Sequence, residues 1–135
     1  MSKYTVFYEN WQMQCCGDPF KVGDYIDWWA TNSWKPTIPI DAEEIDFCYE
    51  SHSPNWSSYV ELKGKIDNIK LLYLQYSTCS DLSTESLAVD GTLINTDKAV
   101  KWVDDMGNLR FEGYIIDIVD AEIRAATKDE IFGNA

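Results

Sequence analysis

Positive charge is scarce in this chain: Lys and Arg number 11 against 23 Asp and Glu, a formal net charge of -12. A surface of that sign repels nucleic-acid phosphates and anionic bilayers, and no segregated basic patch offsets it. Direct binding to nucleic acid or to a membrane is therefore not expected. Histidine is reduced to His52, and cysteine to Cys15, Cys16, Cys48 and Cys79. Their spacing contains no pair of Cys-x-x-Cys knuckles, which argues against a structural zinc framework. Gly-rich phosphate loops, a serine nucleophile elbow and an HExxH helix are also missing, so the expectation is a protein that is not an enzyme. No apolar run approaches the ~20 residues needed to span a bilayer. The start, Met1 to Tyr8, turns polar at Glu9-Asn10 without the apolar core and cleavage site of a signal peptide. These features predict a soluble, cytoplasmic chain whose cysteines are reduced.

What is present is a packed globule. With 135 residues, 45% hydrophobic and 14% aromatic, the chain fits one domain spanning 1–135 and can bury a core without disulfides or metal. The stretch Trp11 to Trp28 holds most of its unusual chemistry. Asp18-Pro19 signals a turn after Gly17, which sets the two adjacent cysteines on a bend. Phe20, Val22, Ile26 and Trp28 then alternate with Lys21, Asp27 and Trp29, interrupted at Gly23-Asp24 by a tight turn or bulge.

The Phe-x-Val-Gly-Asp-x-Ile-x-Trp pattern is similar to the first strand of SH3-like and related small barrels. The longer string Trp-Gln-Met-x-Cys-Cys-Gly-x-Pro-Phe-x-Val-Gly-Asp resembles a family of small bacterial domains without an assigned function. Tyr49-Glu-Ser-His52 and Gly113-Tyr-Ile-Ile-Asp117 extend that resemblance over much of the chain. It implies no activity.

Along the chain, Tyr4, Val6 and Tyr8 alternate as a first strand and Tyr25 to Thr31 as another, with Trp28 and Trp29 on opposite faces. Asn32 to Pro39 is loop, because Pro36 and Pro39 exclude a central strand. Asp41 to Glu44 is one helical turn or loop. Ile45, Phe47 and Tyr49 alternate with Asp46, Cys48 and Glu50, predicting a strand with one dry and one polar face. Ser51 to Ser58 is turn-rich. Tyr59 to Leu62 and Lys65 to Tyr76 read as strands around Gly64, and Leu71 to Leu74 is apolar on both faces, as in a doubly covered strand. Ser77 to Ser86 reads as a long loop, and Asp90-Gly91 as the turn of a hairpin within Leu87 to Ile94. Between Thr96 and Gly107, Ala99, Trp102, Val103 and Met106 fall at helical spacing with cap residues at both ends. A strand through Val100 and Trp102, turning at Asp105 to Asn108, is the alternative, and the helix is favoured. Leu109 to Val119 is strand. Good helix formers from Asp120 to Ile131 predict a short C-terminal helix, unless Ile123 extends the strand.

Three constellations carry chemistry. Cys48, Glu50 and His52 share one strand face with Asp46 and Glu44; if Cys15 and Cys16 fold over it, a zinc site results. The simpler reading of those residues is a solvated polar face with one small buried cysteine. Cys15 or Cys16 paired with His52, and with Asp46 or Glu50 as orienting carboxylate, would make a cysteine hydrolase, but no nucleophile motif surrounds either thiol. Lys21 is the one nearby cation to activate a thiol, and Asp18 and Asp24 oppose it. The aromatics form the third constellation. Trp11, Trp29, Trp34 and Trp56 sit at turns or opposite the apolar face, and together with Asp18 and Asp24 they would make an aromatic and acidic binding surface.

The expectation is thus a mainly β domain, a small barrel or sandwich of about six to eight strands, SH3-like or OB-like, with one or two short helices. Its expected role is a non-enzymatic binding module without a cofactor, engaging a basic or amphipathic protein partner as an inhibitor or immunity-type protein. The alternatives are a zinc or thiol site of Cys15, Cys16, Cys48 and His52, and a nucleic-acid mimic.

Overall fold

The computed structural model describes residues 2–42, 44–50, 59–77 and 88–125, with the backbone alone at Cys16. The chain is mainly β. Its elements are β1 (Lys3–Glu9), α1 (Asn10–Cys16), β2 (Phe20–Lys21), β3 (Tyr25–Thr31), β4 (Phe47–Tyr49), β5 (Tyr59–Tyr76), β6 (Ala88–Thr96), β7 (Lys98–Ala99) and β8 (Arg110–Ala125). Among the described residues no helix is long and apolar enough to cross a membrane.

Six strands form one sheet in the order β3-β4-β1-β8-β5-β6, and β5 pairs again with β3. The ladder from β3 through β4, β1, β8 and β5 therefore returns to its start. All contacts in this circuit are antiparallel except β1 with β4. The two long strands make the closure feasible. β5 offers β8 one edge along most of its length, while its other edge takes β3 at residues 59–65 and β6 at 69–76. Register shifts at Lys63/Lys65, Ile66/Asn68 and Leu72/Tyr73 mark where the β5–β8 ribbon bends, as bulges do. Gly64 lies at the first of them. A side chain there would run into Ile118 and come within 2.9 Å of the Val119 carbonyl, so close backbone approach demands glycine.

Period-two alternation feeds two cores. Val6 and Tyr8, Tyr73, Ile116 and Ile118 enter the main cluster. Phe7, Leu72, Leu74 and Ile115 point the opposite way into a second one, with Ile45 and Cys48. The doubly covered character of Leu71 to Leu74 follows from this arrangement. On the second face, Thr5 lies opposite Asp117, and its hydroxyl donates to Asp117 Oδ1 at 2.9 Å. Lys3 stands 3.7 Å from the other oxygen. That carboxylate is buried, and its charge is met by both groups.

Several expectations are corrected. The cysteine pair follows no bend: Asn10–Cys16 is a helix, built from the straight-chain formers Gln12, Met13 and Gln14, and it buries Met13 and Gln12. The polar row of the fourth strand is covered, since Cys48 is fully buried and Glu50 nearly so. The strands around Gly64 are one continuous β5. Asp90-Gly91 makes no hairpin but lies inside β6, opposite Gln75 and Leu74. Glycine is needed there because an added Cβ would sit 2.7 Å from the Tyr73 carbonyl.

The helix favoured from Thr96 to Gly107 is also replaced. Lys98–Ala99 pairs with Phe20–Lys21, the chain then runs irregularly, and Met106 and Leu109 close a turn with mutual hydrogen bonds of 2.9 Å. The reason is tertiary. The fully buried Tyr114 donates its hydroxyl to Val100 O at 2.7 Å and accepts from Val100 N at 3.0 Å. Asp105 accepts from Phe111 N at 2.8 Å. The two bonds to Val100 satisfy backbone groups that a helix would have paired internally, and the one from Phe111 N holds Asp105 against the start of β8. In place of a C-terminal helix, β8 continues through Ala125, because Val60 to Lys63 supply partners for Glu122 to Ala125. The expectations for Ser51 to Ser58, for the loop beyond Ser77, and for the end beyond Ala125 lie outside the described residues.

Removing the Tyr114 hydroxyl tests the clamp on Val100. Tyr114→Phe leaves a main-chain pair without its partner, and urea denaturation should show a loss of about 1–3 kcal/mol with an unchanged m-value. Wild-type stability in that variant would show that the bonds hold nothing.

Candidate functional site

The site is built where the turn after α1 feeds into β3. Residues 17–19 run irregularly, with no turn at Asp18-Pro19, and lead to the buried Phe20, while β2 is held by β7 and by the Val22 N–H donating to Asp97 O at 2.9 Å. The chain reverses at Gly23, whose φ of 95° is open to glycine. Asp24 locks that reversal, its Oδ2 accepting the Lys21 N–H at 3.0 Å. Gly23 N–H donates to Ile66 O and Ile66 N–H to Asp24 O, at 2.8 and 2.9 Å, which rivets the turn to β5.

The result is a groove. A cavity of about 290 Å³ is lined by Asp18, Pro19, Phe20, Asp24, Tyr25, Ile26, Asp27 and Trp28. A second of the same size, bordered by Lys21, Lys98, Ala99 and Val100, shares Pro19, Phe20 and Asp24 with it. The floor is rigid because its rings continue into the core. Trp28 meets Phe20 edge-on at 5.1 Å and Tyr8 at 5.4 Å, and Tyr8 stacks on Tyr49 at 3.9 Å. Phe20 leads on to Tyr114 and Phe111. Tyr25 stands at the rim, 77% exposed.

The rim is acidic. Asp27 carries a carboxyl raised above its ordinary range, first by burial and then by the hydrogen bond and charge of Glu61, against the pull of Lys63 and Arg124. Glu61 moves the other way, chiefly because Arg124 donates to its Oε1 from Nη2 at 2.9 Å and from Nε at 3.2 Å. Arg124 thus takes up the charge of Glu61 and leaves Asp27 the less well compensated carboxylate of the pair.

The sequence-predicted residues are divided by the fold. Asp18 and Asp24 line one cavity. Trp11, 44% exposed, lies on α1. Trp29 is half-buried on β3. Trp34, also half-buried, sets its ring edge-on to Phe7 at 6.2 Å, over the second core. Trp56 and His52 lie outside the described residues. The exposed rings that sequence reasoning missed are Tyr25 and Trp102, the latter 72% exposed. Tyr25 was detectable from its place directly after the Gly-Asp turn. Trp102 was hidden by its fit to a helical pattern.

The sulfurs occupy different settings. Cys15 is exposed on α1, whereas Cys48 is fully buried. Burial, with the charges of Glu9 and Glu50 added and Lys35 opposing, pushes the Cys48 thiol up to about 12. Its S–H donates to Trp34 O at 3.4 Å. A neutral buried thiol is a packing group rather than a nucleophile or ligand. Among the described residues no three Cys, His, Asp or Glu side chains converge as a metal would need.

Native protein should therefore show Cys15 modified by a thiol reagent and Cys48 protected until urea is added, as peptide mass mapping would reveal. The sign of the pH effect follows. The folded state keeps the Cys48 proton between about pH 9 and 12 while the unfolded chain loses it. Its contribution is complete below about 9 and declines above, by about 1.4 kcal/mol per pH unit. Rapid native labelling of Cys48 at neutral pH would contradict this.

The model of a family of unknown function, DUF6578, matches residues 2–120, a span that includes both cavities of the groove. Neither a curated protein nor a solved structure matches the chain.

Proposed function

Since the chain belongs to this family of unknown function, no activity is inherited from its relatives, and we propose that it is a non-enzymatic binding module. Its groove receives a basic, amphipathic segment of a protein partner. The observation that carries this reading is the placement of Asp18, Asp24 and Asp27 around a floor of Phe20 and Trp28, with Tyr25 at the rim. A Lys or Arg side chain entering such a slot meets ring faces and carboxylates together, and its aliphatic stem covers the apolar wall. The net charge of -12 adds long-range attraction for a cationic partner and speeds encounter. A protein of this kind acts by occupying a partner's basic surface, as a cytoplasmic inhibitor or immunity-type protein does.

A short Arg- and Leu-containing peptide is the direct probe, with tryptophan fluorescence as readout. Binding should weaken with salt and fall several-fold in an Asp18→Asn, Asp27→Asn double variant, each exposed charge contributing about 0.2–1 kcal/mol. Tyr25→Ala should weaken it too. Asp24 is left intact because it holds the turn. Affinity that ignores all three changes would remove the groove as the site. Loss on the carboxylate changes with none on Tyr25→Ala would favour the nucleic-acid mimic, which needs anionic rows and no ring.

A further inference from the structure

A third cavity stands apart from the groove, at the C-terminal end of β5. It measures about 480 Å³ and is lined by Gln75, Tyr76, Ser77, Val89, Asn108 and Arg110. We infer that it binds a small organic monocarboxylate, with the Arg110 guanidinium as anchor.

The chain has two arginines, Arg110 and Arg124. Arg124 is engaged by Glu61. Arg110, in a chain with a large excess of acid, has no carboxylate at ion-pair distance among the described residues; it lies over the Tyr76 ring instead, 5.4 Å from the centroid. That ring is itself held, because the Tyr76 hydroxyl donates to Glu112 Oε1 at 2.8 Å. The guanidinium thus sits over a ring that is itself held, at the wall of the cavity, and its N–H donors can serve a ligand there. Gln75 and Asn108 add side-chain amides that have no hydrogen-bond partner among the described residues. Val89, 56% exposed, supplies an apolar wall.

Size and charge define the ligand class. The volume falls within the range of about 300–1,000 Å³ typical of small-molecule sites. A planar guanidinium fork matches a carboxylate through two parallel hydrogen bonds. A single positive charge beside Glu112, inside a field of net charge -12, favours a monoanion over phosphate or a polyanion. The apolar wall and the Tyr76 ring suit a carboxylate that carries a flat or branched hydrocarbon body.

Titration of the full chain with benzoate, followed by amide nuclear magnetic resonance, tests the assignment. Saturable shifts are expected at Gln75, Val89 and Asn108, with none from the neutral isostere benzamide and weaker ones from inorganic phosphate. Arg110→Gln should lower benzoate affinity about tenfold or more, the loss of a charge-assisted pair. Arg110→Lys, which keeps the charge but not the fork, should fall between. The amide spectrum of each variant reports whether it is folded. Absence of saturable shifts, equal response to benzamide, phosphate binding as tight as benzoate, or unchanged affinity in folded Arg110→Gln would each overturn the inference.

Discussion

The antiparallel pairing of β5 with β8 is the constraint on which the rest of the molecule depends. Two strands of this length cannot stay flat, and the ribbon they form twists and bends at its register shifts. The bending lets one edge of β5 receive β3 and, farther along, β6, while the outer edge of β8 receives β1. β4 closes the circuit by pairing with β1 on one side and β3 on the other. Gly64, against Ile118 and Val119, is where the close approach of the two strands would fail with any side chain.

That circuit also explains why the groove has a fixed shape. Its floor rings are the outer members of a series running through Tyr8, Tyr49, Tyr114 and Phe111 in the main core. Its lip is tied to β5 by the reciprocal bonds of Gly23 and Asp24 with Ile66. A slot held from below and from the side would lose little freedom on binding any segment. The cavity at the end of β5 has a different lining, with Arg110 over the Tyr76 ring.

The strands whose period-two pattern coincides with real burial were legible: β1, β3 and the buried segments of β5 and β8 follow their alternation or their doubly apolar composition. The misread segments share a different cause. Thr96 to Gly107 has helical spacing, yet Tyr114 and Asp105 claim its backbone and that of its neighbour Phe111 from outside. Asp90-Gly91 has turn chemistry, yet β5 supplies a ladder for it. Asp120 to Ala125 has helix formers, yet Val60 to Lys63 present an edge to pair with. In each case a local preference worth tenths of a kcal/mol per residue yields to hydrogen bonds and burial contributed by remote chain. The short helix Asn10–Cys16 was missed for the converse reason, its turn-like neighbours masking good helix formers.

Composition, sign of charge and alternation by themselves determined a mainly β, acidic chain with a turn at Gly23-Asp24 next to aromatic residues, because these properties are local and additive. Tertiary structure alone decided that Asp27, Tyr25 and Trp28 join Asp18 and Asp24 in one groove, that Cys48 is a sealed neutral thiol, and that Arg110 lies over the Tyr76 ring. Those outcomes depend on which distant strands share an edge and which side chains lose their water, and one-dimensional spacing carries no information about either.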